Sequence, residues 1–215
     1  MYNNSNPAVY LWRNIEINAI KRLIRYKNLP NIVYDLGCGD KTLSKYIFQD
    51  KDIVGIDIQG KPDISASIYS LPFDNNSIDF IFCNSVLEHL NRINLALYNI
   101  NRVLKKGGIF IFTVPNDNLE DNLPFGFGKL INKLVGHKNL FCYMEWKQYL
   151  LDNNLKILSR EYYLDDYSTI EWSKMLLLQK LFGGLFLNRR KLDRTIKVDI
   201  NGVWGSAIAF LVTKI

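Results

Sequence analysis

The sequence Ile-Val-Tyr-Asp-Leu-Gly-Cys-Gly-Asp-Lys-Thr-Leu-Ser, residues 32–44, is the stretch on which the predicted fold depends. It begins with an apolar run of the kind found in short buried strands, and that run ends at Asp35. Gly37 and Gly39 then form a tight turn, and apolar residues recur at helical spacing after it. The pattern predicts a strand, a glycine turn and a helix start. Such a turn lets a ligand approach the backbone closely, because glycine has no Cβ.

Three kinds of glycine turn compete for this stretch. The dinucleotide fingerprint G-x-G-x-x-G needs a glycine where Thr42 stands. The phosphate-binding loop ends in Gly-Lys-Ser/Thr, and here Asp40 precedes Lys41. The pattern Asp-x-Gly-x-Gly, beginning at Asp35, fits all its positions. An acid two residues before the first glycine disfavours phosphate and suits a ligand with a cationic group.

The segment Val-Tyr-Asp-Leu-Gly-Cys-Gly, residues 33–39, resembles the first motif of class I S-adenosylmethionine (SAM) dependent methyltransferases. Three later stretches resemble further motifs of the small-molecule, type 11-like branch, in the same order and at similar spacing. They are Ile53 to Asp57, Leu71 to Leu90, and Arg102 to Asn116. The resemblance covers about residues 31–116 and, more loosely, residues 137–165.

The resemblance implies an α/β fold of the doubly wound, Rossmann-like type. It implies a mainly parallel seven-stranded sheet with an antiparallel last strand and helices on both faces. The chain's own pattern adds a lid insertion after strand 5 and a helical insertion before the last strand, and the second is unusual for a minimal member of the family. The chain's own alternation of strands and helices predicts the parallel sheet independently. The predicted helices are 8–28, 41–49, 92–104 and 144–152, and the predicted strands are 32–36, 53–57, 64–67, 78–83, 108–114, 155–163 and 202–213.

We expect a single domain over residues 1–215. Its predicted parts are an N-terminal helix within 1–30, a cofactor-binding core at 31–116, a lid at 117–143 and a helical insertion at 168–200.

The resemblance also implies an enzyme that uses SAM as its cofactor, and it suggests which residues would hold that cofactor. Asp35 would lie near the ammonium group, Asp57 would hold the ribose, and Ile58 would pack on the adenine. The full predicted set is Asp35, Gly37, Cys38, Gly39, Asp57, Ile58, Ser67, Ile68, Asn84, Ser85 and Val86. Two residues depart from the family pattern: Ser67 stands where an acid is frequent, and Lys41 replaces another glycine. We expect Lys41 to point to solvent.

Candidate catalytic residues lie after the fourth strand and in the lid. His137 is the candidate general base, because an unperturbed histidine titrates near neutrality, although it could equally order the lid. Glu88 and His89 begin a predicted helix, and we favour a positioning role for them. No metal site is predicted, because the two histidines show no paired ligand spacing.

Composition limits the partners and the compartment. The net charge of +6 and the pI of about 9.1 fit either weak attraction to anionic partners or a solvated surface. Three cysteines without a C-x-x-C pair predict free thiols, and residues 1–7 lack the order of a signal peptide, so we expect a cytoplasmic protein. Residues 175–191 are apolar and end in basic residues. This segment could contact a membrane surface peripherally, line an apolar pocket, or pack in a core or dimer contact.

The expected reaction is methyl transfer to a small-molecule, sugar or lipid acceptor. After the fourth strand stands Asn84-Ser85-Val86-Leu87 rather than the Asn/Asp-Pro-Pro-aromatic motif of nucleobase methylation, so no specific nucleic-acid partner is expected. Two alternatives stay open: a catalytically idle SAM-fold scaffold, and a nucleic-acid or protein methyltransferase. Neither the acceptor atom nor the oligomeric state follows from the sequence.

Overall fold

The structure is a computed structural model, and it describes residues 6–119, 127–182, 196 and 205–215. Within these residues the chain forms a seven-stranded sheet with strand order 3-2-1-4-5-7-6. The strands are β1 (Ile32–Leu36), β2 (Asp52–Asp57), β3 (Ile64–Ser65), β4 (Ile78–Asn84), β5 (Leu104–Pro115), β6 (Leu155–Tyr163) and β7 (Ala207–Lys214). The helices are α1 (Pro7–Ile24), α2 (Thr42–Ile47), α3 (Ile93–Val103), α4 (Phe127–Val135), α5 (Tyr143–Asp152) and α6 (Asp166–Phe182). Short 3-10 turns cover Leu87–His89 and Asp117–Leu119.

The sheet has the predicted doubly wound topology. Strands β1 to β5 pair in parallel, and β7 runs antiparallel to both β5 and β6. From β1 the chain adds β2 and β3 on one side of the sheet and then β4 and β5 on the other side, so the switch point lies between β1 and β4. Because these strands are parallel, the carboxyl ends of β1, β2 and β4 lie on one edge of the sheet beside this point. Ligands of open α/β sheets bind outside that edge.

Strand β4 shows why helices cover both faces of the sheet. Phe80 and Phe82 belong to the core that also holds side chains from α1 and α6, whereas Ile81 and Cys83 belong to the core that holds side chains from α3 and α5. All four side chains are buried. Both faces of a central parallel strand are buried, so its sequence is a continuous apolar run.

Several predicted boundaries differ from the structure. Helix α1 ends at Ile24, four residues before the predicted end, and β5 begins at Leu104, four residues before the predicted start. The extra length of β5 contains a register shift against β4 and includes Gly107, whose φ of +74° suits a bulge. Strand β7 begins at Ala207, and residues 202–204 of its predicted start lie outside the described residues.

The predicted insertion at 168–200 is described only in part. Residues up to Phe182 continue α6, and Met175 is buried in the core shared with α1. Residues 183–191 of the apolar segment 175–191 lie outside the described residues, as do the side chains of 178–182. In the part of the chain that the structure covers, no helix combines the length and the apolar character needed to cross a membrane. The three cysteines are free thiols, as predicted.

Candidate active site

The glycine turn after β1 is held against the end of β2. The Gly37 and Cys38 N–H groups donate to the Ile56 carbonyl at 2.8 and 3.3 Å. The Gly39 N–H donates to Asp57 Oδ2 at 3.0 Å, and the Gln59 N–H donates to Asp57 Oδ1 at 3.1 Å. These bonds hold the Asp57 carboxylate at the edge of the sheet, and each of its oxygens keeps acceptor capacity for a ligand.

Gly37 cannot carry a side chain without moving the end of β4. Its φ is +71°, a conformation that glycine adopts freely. A Cβ built on it would lie 2.3 Å from Val86 Cγ2. The residue therefore permits both the turn and the close contact between the turn and the segment after β4.

A cavity of about 400 Å³ opens where these elements meet. Seven of the eleven predicted cofactor residues line it: Gly37, Asp57, Ile58, Ser67, Ile68, Ser85 and Val86. The Ile58 side chain is exposed although it is large and apolar, so its surface is available to a flat apolar ligand group. The cavity combines apolar walls with one carboxylate, as nucleoside sites do.

The other four predicted cofactor residues lie close by but do not line this cavity. Asp35 is buried, and burial together with the charge of Asp57 raises its pKa from 3.8 to about 6, against a hydrogen bond from Ser44. Cys38 is half-buried, and burial and the nearby Asp35 raise its pKa to about 11, which argues against a nucleophilic thiolate. Gly39 is bonded to Asp57, and Asn84 belongs to the polar network described below.

The prediction that Lys41 points to solvent is wrong. Its side chain lies across Gly55, where a Cβ would come within 2.5 Å of Lys41 Cδ, and its Nζ forms an ion pair with Asp63 Oδ1 at 2.6 Å. Lys41 also adopts φ +61°, which explains why a glycine fits this position equally well. The lysine at this position therefore has a structural explanation, because its side chain packs on Gly55 in β2 and pairs with Asp63 after that strand.

A second cavity of about 240 Å³ adjoins the first, and Ser85 and His89 line both. Its apolar wall comes from α1, the end of α4 and α6. Trp12 and Trp172 form part of this wall, with ring centroids 4.7 Å apart. Its polar side holds Arg13 and the side chains of the Leu87–His89 turn and the lid.

A buried network centred on Glu16 joins α1 to the carboxyl ends of β4, β5 and β6. Thr113 Oγ1 and Tyr163 Oη donate to Glu16 Oε1, each at 2.9 Å, and Arg13 forms an ion pair with Glu16 Oε2. The Asn84 amide satisfies its neighbours when its nitrogen donates to Thr113 and Glu16 and its oxygen accepts from Ser85 and Arg13. This network could not be predicted from the sequence, because Glu16 resembles any other acid on an amphipathic helix.

The lid is attached to the turn that follows β4. The N–H groups of Lys138 and Asn139 both donate to the Glu88 carbonyl, at 2.7 and 3.0 Å. The Asn139 amide donates to the carbonyls of Leu87 and Leu90 at 2.8 and 2.7 Å. Four hydrogen bonds therefore hold the segment after α4 against residues 87–90.

This attachment brings together all three candidate catalytic residues. One ligand-type atom from each of Glu88, His89 and His137 lies within 4.8 Å of the others. The His89 and His137 ring centroids are 5.3 Å apart. Sequence spacing alone did not predict this group, because the two histidines are 48 positions apart in the chain.

Hydrogen bonding sets the tautomers of both histidines. His89 Nδ1 lies 3.1 Å from the Gly136 carbonyl and His137 Nδ1 lies 2.9 Å from Asn132 Oδ1. Both partners are oxygen acceptors, so each ring carries its proton on Nδ1 and keeps a free lone pair on Nε2. Burial, with a smaller effect of the neighbouring His89, lowers the pKa of His137 to about 4.

Glu88 is buried without full compensation. Burial raises its pKa to about 8, partly offset by a backbone hydrogen bond. Its Oε2 has no hydrogen-bond partner. At neutral pH the group is mainly a protonated acid, and His137 is a weak base, so neither has the pKa of an efficient general base as the chain stands.

A family model described as a methyltransferase domain matches residues 34–112, which contain the glycine turn, Asp57 and the end of β4. Two curated relatives each align with about half of the chain. An uncharacterised protein of Methanocaldococcus jannaschii is 36% identical over 121 residues, which are 49% of this chain and 46% of that protein. A malonyl-[acyl-carrier protein] O-methyltransferase of Legionella pneumophila is 28% identical over 119 residues, which are 47% of this chain and 42% of that protein. The chain thus spans under half the length of each.

The whole fold is shared with a solved structure. A SAM-dependent methyltransferase from Thermotoga maritima, described as a possible histamine N-methyltransferase, aligns with a TM-score of 0.64 at 13% identity. The alignment covers 96% of this chain and 93% of that one. At this identity the likeness concerns the fold, including the antiparallel β7.

Proposed function

We propose that this chain, whose residues 34–112 match a family model described as a methyltransferase domain, is a SAM-dependent methyltransferase that transfers the methyl group of SAM to a small-molecule, sugar or lipid acceptor. The observation that carries the proposal is the pair of adjoining cavities. One has the turn and carboxylate of the cofactor motifs, the other has an apolar wall and a polar end, and they meet at Ser85 and His89.

The residues of the larger cavity fit SAM, the cofactor of this family. Asp57 offers carboxylate oxygens to ribose hydroxyls, and Ile58 offers an exposed apolar face to the adenine. Gly37 lets the turn pack directly against Val86 in the wall of this cavity. Burial is the main cause of the raised pKa of Asp35, which the Ser44 hydrogen bond and the charge of Lys41 only partly offset, and an ammonium group beside it would favour the carboxylate further.

When bound, SAM supplies a methyl carbon on a positively charged sulfur: an acceptor lone pair forms the new bond, the carbon–sulfur electrons stay on sulfur, and the acceptor's proton leaves. The chain's own task is to hold the two molecules in line and to exclude water. Alignment of this kind can lower a barrier by about 7–11 kcal/mol. Ser85 and His89 stand at the boundary where the two ligands would meet.

The acceptor that fits the smaller cavity is largely apolar with a polar reacting end. The two tryptophans provide stacking surface, whereas Glu88, His89 and His137 provide polar contacts on the opposite side. The volume of about 240 Å³ lies below the usual range for whole ligands, about 300–1,000 Å³, so the cavity suits the reacting end of an acceptor.

Two alternatives have specific consequences. A nucleic-acid acceptor would need free cations near the site, but among the described residues that line either cavity the one Lys or Arg is Arg13, which is paired with Glu16. An idle scaffold would account for Ser67 and Lys41, yet Lys41 has the structural explanation given above. Peripheral membrane contact through 175–191 and a cytoplasmic location stay predictions.

The experiment uses SAM with an isotopically labelled methyl group and an extract separated into small-molecule, lipid, protein and nucleic-acid fractions. We expect label in the small-molecule or lipid fraction, and loss of that label with Asp57→Asn. A matched control is Asp79→Asn, which removes an exposed carboxylate paired with Lys105 at the opposite end of β4. Label in RNA or protein would favour the second alternative, and no transfer to any fraction despite SAM binding would favour the scaffold.

A further inference from the structure

We infer that Glu88, His89 and His137 form a binding site for one divalent first-row transition-metal ion, such as Zn²⁺ or Co²⁺, at the junction of the two cavities. Two imidazoles and one carboxylate are ligands that suit these ions, whereas Mg²⁺ and Ca²⁺ prefer oxygen ligands alone. The site rests on three separate observations about the described residues.

The first observation is the convergence of ligand atoms. One atom from each side chain lies within 4.8 Å of the others, and His89 Nε2 lies 3.9 Å from Glu88 Oε1. Ligand atoms around tetrahedral zinc lie about 3.3 Å apart, as follows from bonds of about 2.0 Å. The His89 side chain is 41% exposed, so a small shift that keeps Nδ1–H on the Gly136 carbonyl would bring its Nε2 closer to the other two ligand atoms.

The second observation is the orientation of the two imidazoles. Each directs Nδ1–H to an oxygen acceptor, the Gly136 carbonyl for His89 and Asn132 Oδ1 for His137. Metal-binding histidines almost always have such a partner on the second nitrogen, which fixes the tautomer and presents the other lone pair to the ion. Here both Nε2 atoms keep that lone pair.

The third observation is the state of Glu88. The residue is buried, and its Oε2 has no hydrogen-bond partner among the described residues. A buried polar atom without a partner costs free energy, and a coordinated cation would remove that cost.

The lid supplies the last ligand. Gly136 follows α4 with φ +78°, its N–H donates to the Asn132 carbonyl at 2.9 Å, and its own carbonyl accepts from His89. Because Lys138 and Asn139 are bonded to the Glu88 carbonyl, the lid and the turn after β4 would share the ion. The ion therefore ties the lid to the body of the chain.

A role for the ion in methyl transfer rests on the proposed function, whereas the binding site itself does not. An ion at this junction faces the polar end of the smaller cavity. Coordination of an acceptor oxygen or nitrogen would lower the pKa of its proton and orient its lone pair toward the larger cavity.

The test measures metal binding to the full chain directly. The metal-free protein is titrated with Co²⁺ and followed by its visible absorption, and Zn²⁺ content after gel filtration is measured by elemental analysis. We expect about one equivalent per chain, displacement of Co²⁺ by Zn²⁺, and no displacement by Mg²⁺. Glu88→Gln, which keeps the side chain's shape, and His89→Ala, at a half-exposed position, should each weaken binding at least about 100-fold.

The matched control is Cys142→Ser, which removes a half-exposed thiol that could bind Zn²⁺ adventitiously. It should leave stoichiometry and affinity unchanged. Absence of binding, unchanged binding in both Glu88→Gln and His89→Ala, or loss of binding in Cys142→Ser would each overturn the site. SAM binding is measured separately on the metal-free protein, so failure of the methyltransferase proposal and failure of the metal site give different results.

Discussion

The contact between Gly37 and Val86 makes a sharp prediction about the substitution Gly37→Ala. An alanine at φ +71° pays for a left-handed backbone, about 1–2 kcal/mol. Its Cβ would also lie 2.3 Å from Val86 Cγ2 and 3.2 Å from Cγ1, so the β-branched side chain or the backbone must move, which costs about 1–3 kcal/mol more. We expect a total loss of about 2–5 kcal/mol in the free energy of unfolding.

Gly107→Ala is the matched control for this substitution. Gly107 has nearly the same backbone angle, φ +74°, but nothing lies within 4 Å of its built Cβ, and it is in β5 rather than at either cavity. Urea unfolding should therefore show only the backbone cost of about 1–2 kcal/mol. The difference between the two alanine variants isolates the contact with Val86.

Two further measurements complete the experiment. In the double variant Gly37→Ala with Val86→Ala, the clashing methyl carbons are gone, so a favourable coupling of about 1–2 kcal/mol is expected. Affinity for SAM, measured by calorimetry, should fall at least about tenfold in Gly37→Ala and stay unchanged in Gly107→Ala, because only the former displaces the cavity wall. Equal destabilisation of the two single variants with equal SAM affinity would refute the argument.

Three other predictions follow from buried groups and from the lid. Burial raises the pKa of Asp35 from 3.8 to about 6, so the folded state holds that proton more tightly than the unfolded state does. The free energy of unfolding should therefore fall as pH rises between these values. Asp35→Asn should abolish this fall and gain about 2–3 kcal/mol at pH 7, and parallel pH profiles of the two proteins would contradict the prediction. Glu16→Gln should lower the free energy of unfolding, measured with urea, by about 2–4 kcal/mol, because it leaves Arg13 without its ion pair. Glu161→Gln, which breaks a half-exposed ion pair with Arg22, should lower it by under about 1 kcal/mol. Similar losses in the two variants would argue against the network. Gly136→Ala should cost about 1–2 kcal/mol through φ +78° alone, and a thermal melt that matches the unsubstituted protein would contradict that.

The fold could be predicted because its signals are local. The run before Asp35 and the run before Asp57 are apolar, β-branched and followed by turns, and the structure has strands at both places. The two acids close neighbouring strands, so parallel pairing brings them to one edge whatever the rest of the chain does. Asp35 pairs with Gly55 in the register of β1 and β2, and both residues lie within the two stretches that the sequence predicts as strands.

The acceptor side of the site could not be predicted, because it depends on contacts between distant segments. Glu16 reaches Thr113 and Tyr163 across the sheet, and an acid in an amphipathic helix carries no mark of such a partner. His137 meets His89 only because the lid is bonded to residues 87–90. Lys41 was expected in solvent because the sequence does not show that Gly55 leaves room for it.

The most direct test of the central claim is calorimetric titration of the chain with SAM, compared between the unsubstituted protein and Asp57→Asn. The account predicts one binding site per chain and at least about a tenfold loss of affinity in Asp57→Asn, since a carboxylate bond to a ligand contributes about 1.5–3 kcal/mol. Asp79→Asn should bind as the unsubstituted protein does. Failure of the unsubstituted chain to bind SAM, or equal affinity in the Asp57→Asn variant, would contradict the assignment of the cavity.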